Sequence, residues 1–99
     1  MMELKRILDN MIQLSQLMAN RPYPESGQML YDYISPLLAN GESVTLDLTG
    51  VISLPSMFLN ASIGIAAREY GVETIKKKIA FRNVTKTEAE RLREYFARL

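Results

Sequence analysis

Residues 43–60 read SVTLDLTGVISLPSMFLN, and their pattern decides the fold. Val44, Leu46 and Leu48 alternate with Thr45 and Asp47, the period-two signature of a strand. Thr49-Gly50 then reads as a turn or bulge, and Val51-Ile52 as a short extended continuation. Ser53, Leu54 and Pro55 start a helix, with Pro55 suited to its first turn. From 57 to 67 this helix is apolar nearly all round, interrupted by Asn60, Ser62 and Gly64, and Gly71 is placed to stop it after Tyr70. A strand feeding a helix of this kind is one step of a βαβ unit.

The flanking sequence repeats the alternation. Upstream, Met29, Leu30, Tyr33, Ile34, Leu37 and Leu38 form one continuous helical face. Ser26 is the expected N-cap of that helix, Asn40-Gly41 its stop, and Pro36 is expected to bend its last turn. Downstream, residues 72–77 read as a short helical turn and 78–84 as the last strand, with Ile79 and Phe81 on one face. Thr85-Lys86-Thr87-Glu88 is a capping box that opens a final helix with the stripe Ala89, Leu92, Tyr95/Phe96 and Leu99. In the first twenty residues the pattern favours a helix over 3–10 and leaves 11–17 open between helix and strand. Residues 21–24 read as loop. The expected architecture is therefore α/β, a three- to four-stranded, mostly parallel sheet with helices packed on it. It forms a single domain over 1–99, with 1–10 as an extra N-terminal helix or arm.

Composition excludes much. The chain has 99 residues, no cysteine and no histidine. Disulfides, thiol nucleophiles, Ser-His-Asp triads and most zinc chemistry are thereby ruled out, and no metal or cofactor is expected. The net charge is +1 with both signs interspersed, which offers no electrostatic footprint for nucleic acid or an anionic membrane. No apolar run approaches the ~20 residues of a membrane span. Glu3, Asp9 and the polar breaks at Gln13, Ser15 and Gln16 argue against a signal peptide, so a reducing cytoplasm is the expected compartment. The run Lys76-Lys77-Lys78 is neutralised by nearby Glu73, Glu88 and Glu90 and reads as a solvated face.

Several of these segments together resemble a known family. Ser26-Gly27, the helix end Ile34-Ser35-Pro36-Leu37-Leu38, the strand from Val44 through Asp47 to Val51, and the helix start Ser56-Met57-Phe58-Leu59-Asn60 through Gly64 look like the STAS-like family of unknown function. That family is related to the STAS domains of bacterial anti-sigma factor antagonists. The resemblance implies a small STAS-like α/β sandwich that serves as a regulatory protein-protein interaction module. Its implied partner is a protein such as a kinase-like ATPase or an anti-sigma factor, and self-association is compatible with it. In the relatives a serine at this helix start is phosphorylated to break the complex, and Ser56 falls at that position. The pattern departs from the relatives at Pro55, where they carry aspartate, and at Phe58, where they carry glycine.

Each candidate also has a plainer reading. Ser56 is either a helix cap or a phosphorylation site, because a helix start accommodates both. Asp47 and Thr49 form a polar site at the strand end. They suggest the Asp-x-Thr-Gly motif of aspartyl-phosphate enzymes, but a chain of this length cannot supply the scaffold, and Asp47 is expected to bond amides of the Gly50 turn. Met57, Phe58, Asn60 and Ile63 are expected to leave a partner-binding patch, since so small a sheet should not hide every side of one helix. The expectation is thus a non-catalytic binding module. A small phosphoryl-transfer or hydrolytic enzyme built on Asp47 and Ser56, and a structural subunit, are the alternatives.

Overall fold

Alternation around Leu46 produces the central strand of the sheet. In the computed structural model, which describes residues 10–99, the elements are β1 (Met11–Gln13), α1 (Leu14–Met18), α2 (Tyr23–Ala39), β2 (Val44–Asp47), α3 (Ser56–Ala61), α4 (Ile63–Tyr70), α5 (Val72–Lys78), β3 (Ile79–Arg82) and α6 (Lys86–Ala97). The sheet order is β1-β2-β3, and both pairings are parallel. The segment left open at 11–17 divides into β1 and most of α1. The helix expected over 3–10 lies outside the described residues except for Asn10, which is a turn. Asn10 ties that turn down by donating to the Ser43 carbonyl at 2.9 Å.

Register separates the two faces of the sheet. Ile12, Leu46 and Phe81 lie side by side, as do Gln13, Asp47 and Arg82 one residue on. The first row shares its face with Val44 and Ile79, and with Leu30, Ile34, Leu38, Leu54, Phe58 and Ile63 it builds the core. Right-handed crossovers in a 1-2-3 order place both helical connections on one face, in accord with this one-sided burial. On the other face Met11 and Thr45 are half-buried, while Gln13, Ala80 and Arg82 are exposed.

Local chemistry changes the expected helices in two places. The first helix starts at Tyr23, not Ser26, because extended Pro22 sits at the cap and Pro24 occupies the second helical position, where its missing N–H costs nothing. Ser26 is buried inside α2 and donates to the Pro22 carbonyl at 3.0 Å. At the other end, despite Pro36, the helix closes in a Schellman motif, with Gly41 N–H on the Leu38 carbonyl and Glu42 N–H on that of Leu37. The single helix expected between Pro55 and Tyr70 is two, broken at Ser62 (φ −123°, ψ −82°). Fully buried Ser62 donates its hydroxyl to the Phe58 carbonyl at 2.7 Å, a side-chain bond that competes with the helical ladder.

Two contacts hold the helical layer together. Gly27 lets α2 approach α3 closely: a Cβ there would lie 2.7 Å from the Phe58 carbonyl oxygen and 2.8 Å from the Ala61 side chain. Further along the same side of α2, Tyr70 donates its hydroxyl to the Ser35 carbonyl at 3.0 Å, and Tyr31 donates to Glu69, fastening α4.

Leu46 is fully buried at the centre of this arrangement. Leu46→Ala should destabilise the domain by about 2–4 kcal/mol through the cavity it leaves, read as a lower urea midpoint at unchanged slope. An unmoved midpoint would contradict the central placement of β2.

Candidate functional site

The chain leaves β2 through a polar pin. Asp47 Oδ1 accepts three hydrogen bonds, from Thr49 N–H at 3.0 Å, the Thr49 hydroxyl at 2.7 Å and Asn83 Nδ2 at 2.9 Å. Asn83 Nδ2 also donates to the Thr49 hydroxyl at 3.0 Å. Asn83 follows β3 in the left-handed region (φ 59°), which asparagine adopts more readily than most side chains. Together these donors hold the Asp47 carboxyl below its ordinary value, the Asn83 amide contributing most. The strand-end aspartate is thus the turn-former expected from sequence, bonding the backbone as Asx turns do. Asn83, which stands 36 residues away, gives no local sequence signal of its part.

From this pin the chain runs without regular structure to α3, and a second buried carboxylate catches it. Leu54 is fully buried, and its N–H donates to Glu88 Oε2 at 3.0 Å. Arg91 donates to Glu88 Oε1 at 2.7 Å, so the charge of a side chain only 2% exposed is paired and hydrogen-bonded. Half of the capping box forms as expected, with Glu88 N–H on the Thr85 hydroxyl at 3.1 Å. The carboxylate that would return to the cap instead crosses to Leu54. Sequence spacing indicated the cap and missed this long-range clamp.

Between pin and clamp one large apolar side chain stands out into solvent. Ile52 is 82% exposed, and just beyond Leu54 and Pro55 come Ser56 and Met57, the latter 61% exposed. Pro55 occupies the N-cap of α3, and no side chain caps that helix. The reading of Ser56 as a cap is therefore corrected: it is exposed, and its hydroxyl makes no hydrogen bond among the described residues.

The expected patch also changes membership. Phe58 and Ile63 are fully buried and belong to the core, because α2 packs on α3 at Gly27 and covers the side on which Phe58 lies. Met57 and Asn60 remain exposed. Ile52, which has no place in the expected patch, is the most exposed large apolar side chain among the described residues.

Asn60 connects this surface to α6. Its Oδ1 accepts the Tyr95 hydroxyl at 2.9 Å. Gly64 makes room for that bond, since a Cβ there would stand 2.9 Å from the Tyr95 oxygen. Ser56, Arg91, Glu94, Tyr95 and Arg98 line a cavity of about 110 Å³ whose inner wall includes Glu88. Among the described residues no three carboxylates converge as a metal site would need. Lys76 and Lys77 are exposed in the last turn of α5, as a solvated face requires, but Glu88, expected among the acids that neutralise the run, is buried and bound to Leu54 and Arg91 instead.

The family model of a STAS-like domain of unknown function matches residues 26–89. The match runs from the buried Ser26 of α2 to the first turn of α6, and it includes the pin, the clamp and Ser56. No curated protein and no solved structure matches the chain.

Two outcomes test the pin and the clamp. Because folding lowers the Asp47 pKa, its stabilising effect is complete above the ordinary carboxylate range and is lost as pH falls through the folded value. Asp47→Asn should therefore lower the thermal midpoint at pH 7, with the gap to wild type closing in acid; a gap that stays constant with pH would refute the electrostatic role. Glu88→Ala should cost about 1–3 kcal/mol, since it leaves the buried Leu54 N–H unpaired, and Glu88→Gln should recover part of that loss in chemical denaturation.

Proposed function

Because the chain belongs to the STAS-like domain family, we propose that it is a non-catalytic regulatory module that docks a protein partner through the surface around Ser56 and releases it when Ser56 is phosphorylated. The observation that carries this reading is the setting of Ser56. Its hydroxyl is uncommitted, and it lies in sequence between Ile52 and Met57, the two most exposed large apolar side chains among the described residues. Apolar side chains held out in this way suit a contact that is made and broken.

The physics of release is one of charge. Phosphoserine carries roughly −1.5 to −2 at pH 7. Ser56 supports no part of the core, so the fold tolerates the added group. A partner packed over Ile52 and Met57 would have to desolvate a dianion, at a cost of several kcal/mol. The family resemblance points to a kinase-like ATPase or an anti-sigma factor as that partner, in a cytoplasmic setting. No helix among the described residues is long and apolar enough to cross a membrane.

The engagement of Asp47 supports a binding role over an enzymatic one. One of its oxygens already takes three donors from within the chain, and no set of acids stands beside it to hold magnesium among the described residues. Turnover of a generic phosphate ester with magnesium, lost in Asp47→Asn, would restore the enzymatic alternative.

Affinity capture from extracts of the source cell tests the binding role. Wild type and Ser56→Ala should retain the same partner, while Ser56→Asp and Ile52→Asp should retain much less. As surface changes, these variants should shift the thermal midpoint by no more than about 4 °C. If Ser56→Asp binds as wild type does, Ser56 is not the switch. If Ile52→Asp and Met57→Asp also bind fully, the docking surface lies elsewhere or the domain is a structural subunit.

A further inference from the structure

Beyond the Ser56 cavity the surface continues into a larger groove. Tyr95 and Arg98 line both, and past them a groove of about 510 Å³ opens between α4 and α6. Its floor is small and apolar: Gly64 and Ala67 are buried, and Val72 is half-buried. Its rim carries the exposed guanidiniums of Arg68 and Arg98, and no acidic side chain lines it. Neither arginine has a salt-bridge partner among the described residues, whereas Arg91 is held by Glu88. Glu94 faces the Ser56 cavity and not this groove.

The geometry points to this groove as the seat of an acidic segment of the partner protein, one apolar side chain entering over Ala67 beside Val72 while flanking carboxylates pair with Arg68 and Arg98. This inference rests on the reading of the domain as a docking module and adds the chemistry of what docks. The short side chain of Ala67 leaves depth for an incoming one, and a guanidinium fork matches a carboxylate with two parallel hydrogen bonds. The Tyr95–Asn60 bond, which Gly64 permits, fixes the wall between groove and cavity. An acidic partner also explains why a phosphate on Ser56 should act at a distance. The modified serine would stand at the other end of one continuous surface and repel the same negative charge that the arginines attract.

Fluorescence anisotropy with the full chain tests the inference directly. The probes are short labelled peptides with one leucine flanked by glutamates, and the same peptides with lysine in place of each glutamate. The glutamate peptide should bind with a Kd on the order of 100 μM, typical of a small transient contact. The lysine peptide should bind at least about tenfold more weakly, and the difference should shrink between about 50 mM and about 500 mM salt. Arg68→Glu and Arg98→Glu change exposed side chains and should each weaken binding of the glutamate peptide, the double variant coming to prefer the lysine peptide. Equal binding of the two peptides, indifference to both reversals, or no binding up to about 1 mM would overturn the assignment. So would sedimentation showing dimers that Arg68→Glu dissolves, since the groove would then receive a second copy. The two readings fail separately. Peptide binding that survives while Ser56→Asp still captures its partner removes the switch and keeps the groove. Loss of peptide binding with the Ser56 effects intact does the reverse.

Discussion

The approach of α2 to α3 at Gly27 is the constraint on which the rest of this domain depends. Strands of three or four residues offer little area, so the sheet relies on a helical layer that is itself tightly packed. With no side chain at Gly27, α2 can lie against the backbone of Phe58, and among the described residues these two helices make the most extensive contact between any pair of elements. That closeness sets the rotation of α3. Phe58 turns fully inward, and Ser56, Met57 and Asn60 are left outside. The placement of the candidate docking surface is therefore a consequence of core packing.

Two buried carboxylates then present that surface. Asp47 anchors the start of the irregular segment through Thr49 and Asn83, and Glu88 anchors its end through the Leu54 amide. Each draws one partner from far away in sequence, so the end of β3, α6 and the loop before α3 are held as one unit. Between the anchors Ile52 can remain exposed without loosening the fold. The apolar surface it exposes is available to a partner because polar bonds, and not burial of Ile52, shape the segment.

Continuity between the Ser56 cavity and the α4–α6 groove gives the surface two chemically distinct ends. One has the Ser56 hydroxyl and the other has the guanidiniums of Arg68 and Arg98 over a small apolar floor, all without a partner among the described residues. A negative charge added at the first end would oppose a negative partner held at the second through space. Regulation on these terms needs no change of fold.

Much of the architecture was legible in the sequence because it rests on local periodicity. The alternation about Leu46, the helical face from Met29 to Leu38, the Asn40-Gly41 stop and the Thr85 cap are each written within a few neighbouring residues, as is the turn made by Asp47. The start of α2 at Tyr23 and the break at Ser62 were misread, since paired prolines and a competing hydroxyl altered the hydrogen bonding that propensity assumed. Phe58 and Ile63 were assigned to the surface because an all-round apolar helix does not declare which side a neighbour will cover. Asn83, Glu88, Ile52 and the arginine groove acquired their roles only through contacts between distant segments. Amino-acid order by itself determined the central strand, the helices that flank it and the common face they bury. Tertiary structure decided which residues of α3 face solvent and which carboxylates hold the loop, because packing and long-range hydrogen bonds join residues that no local period relates.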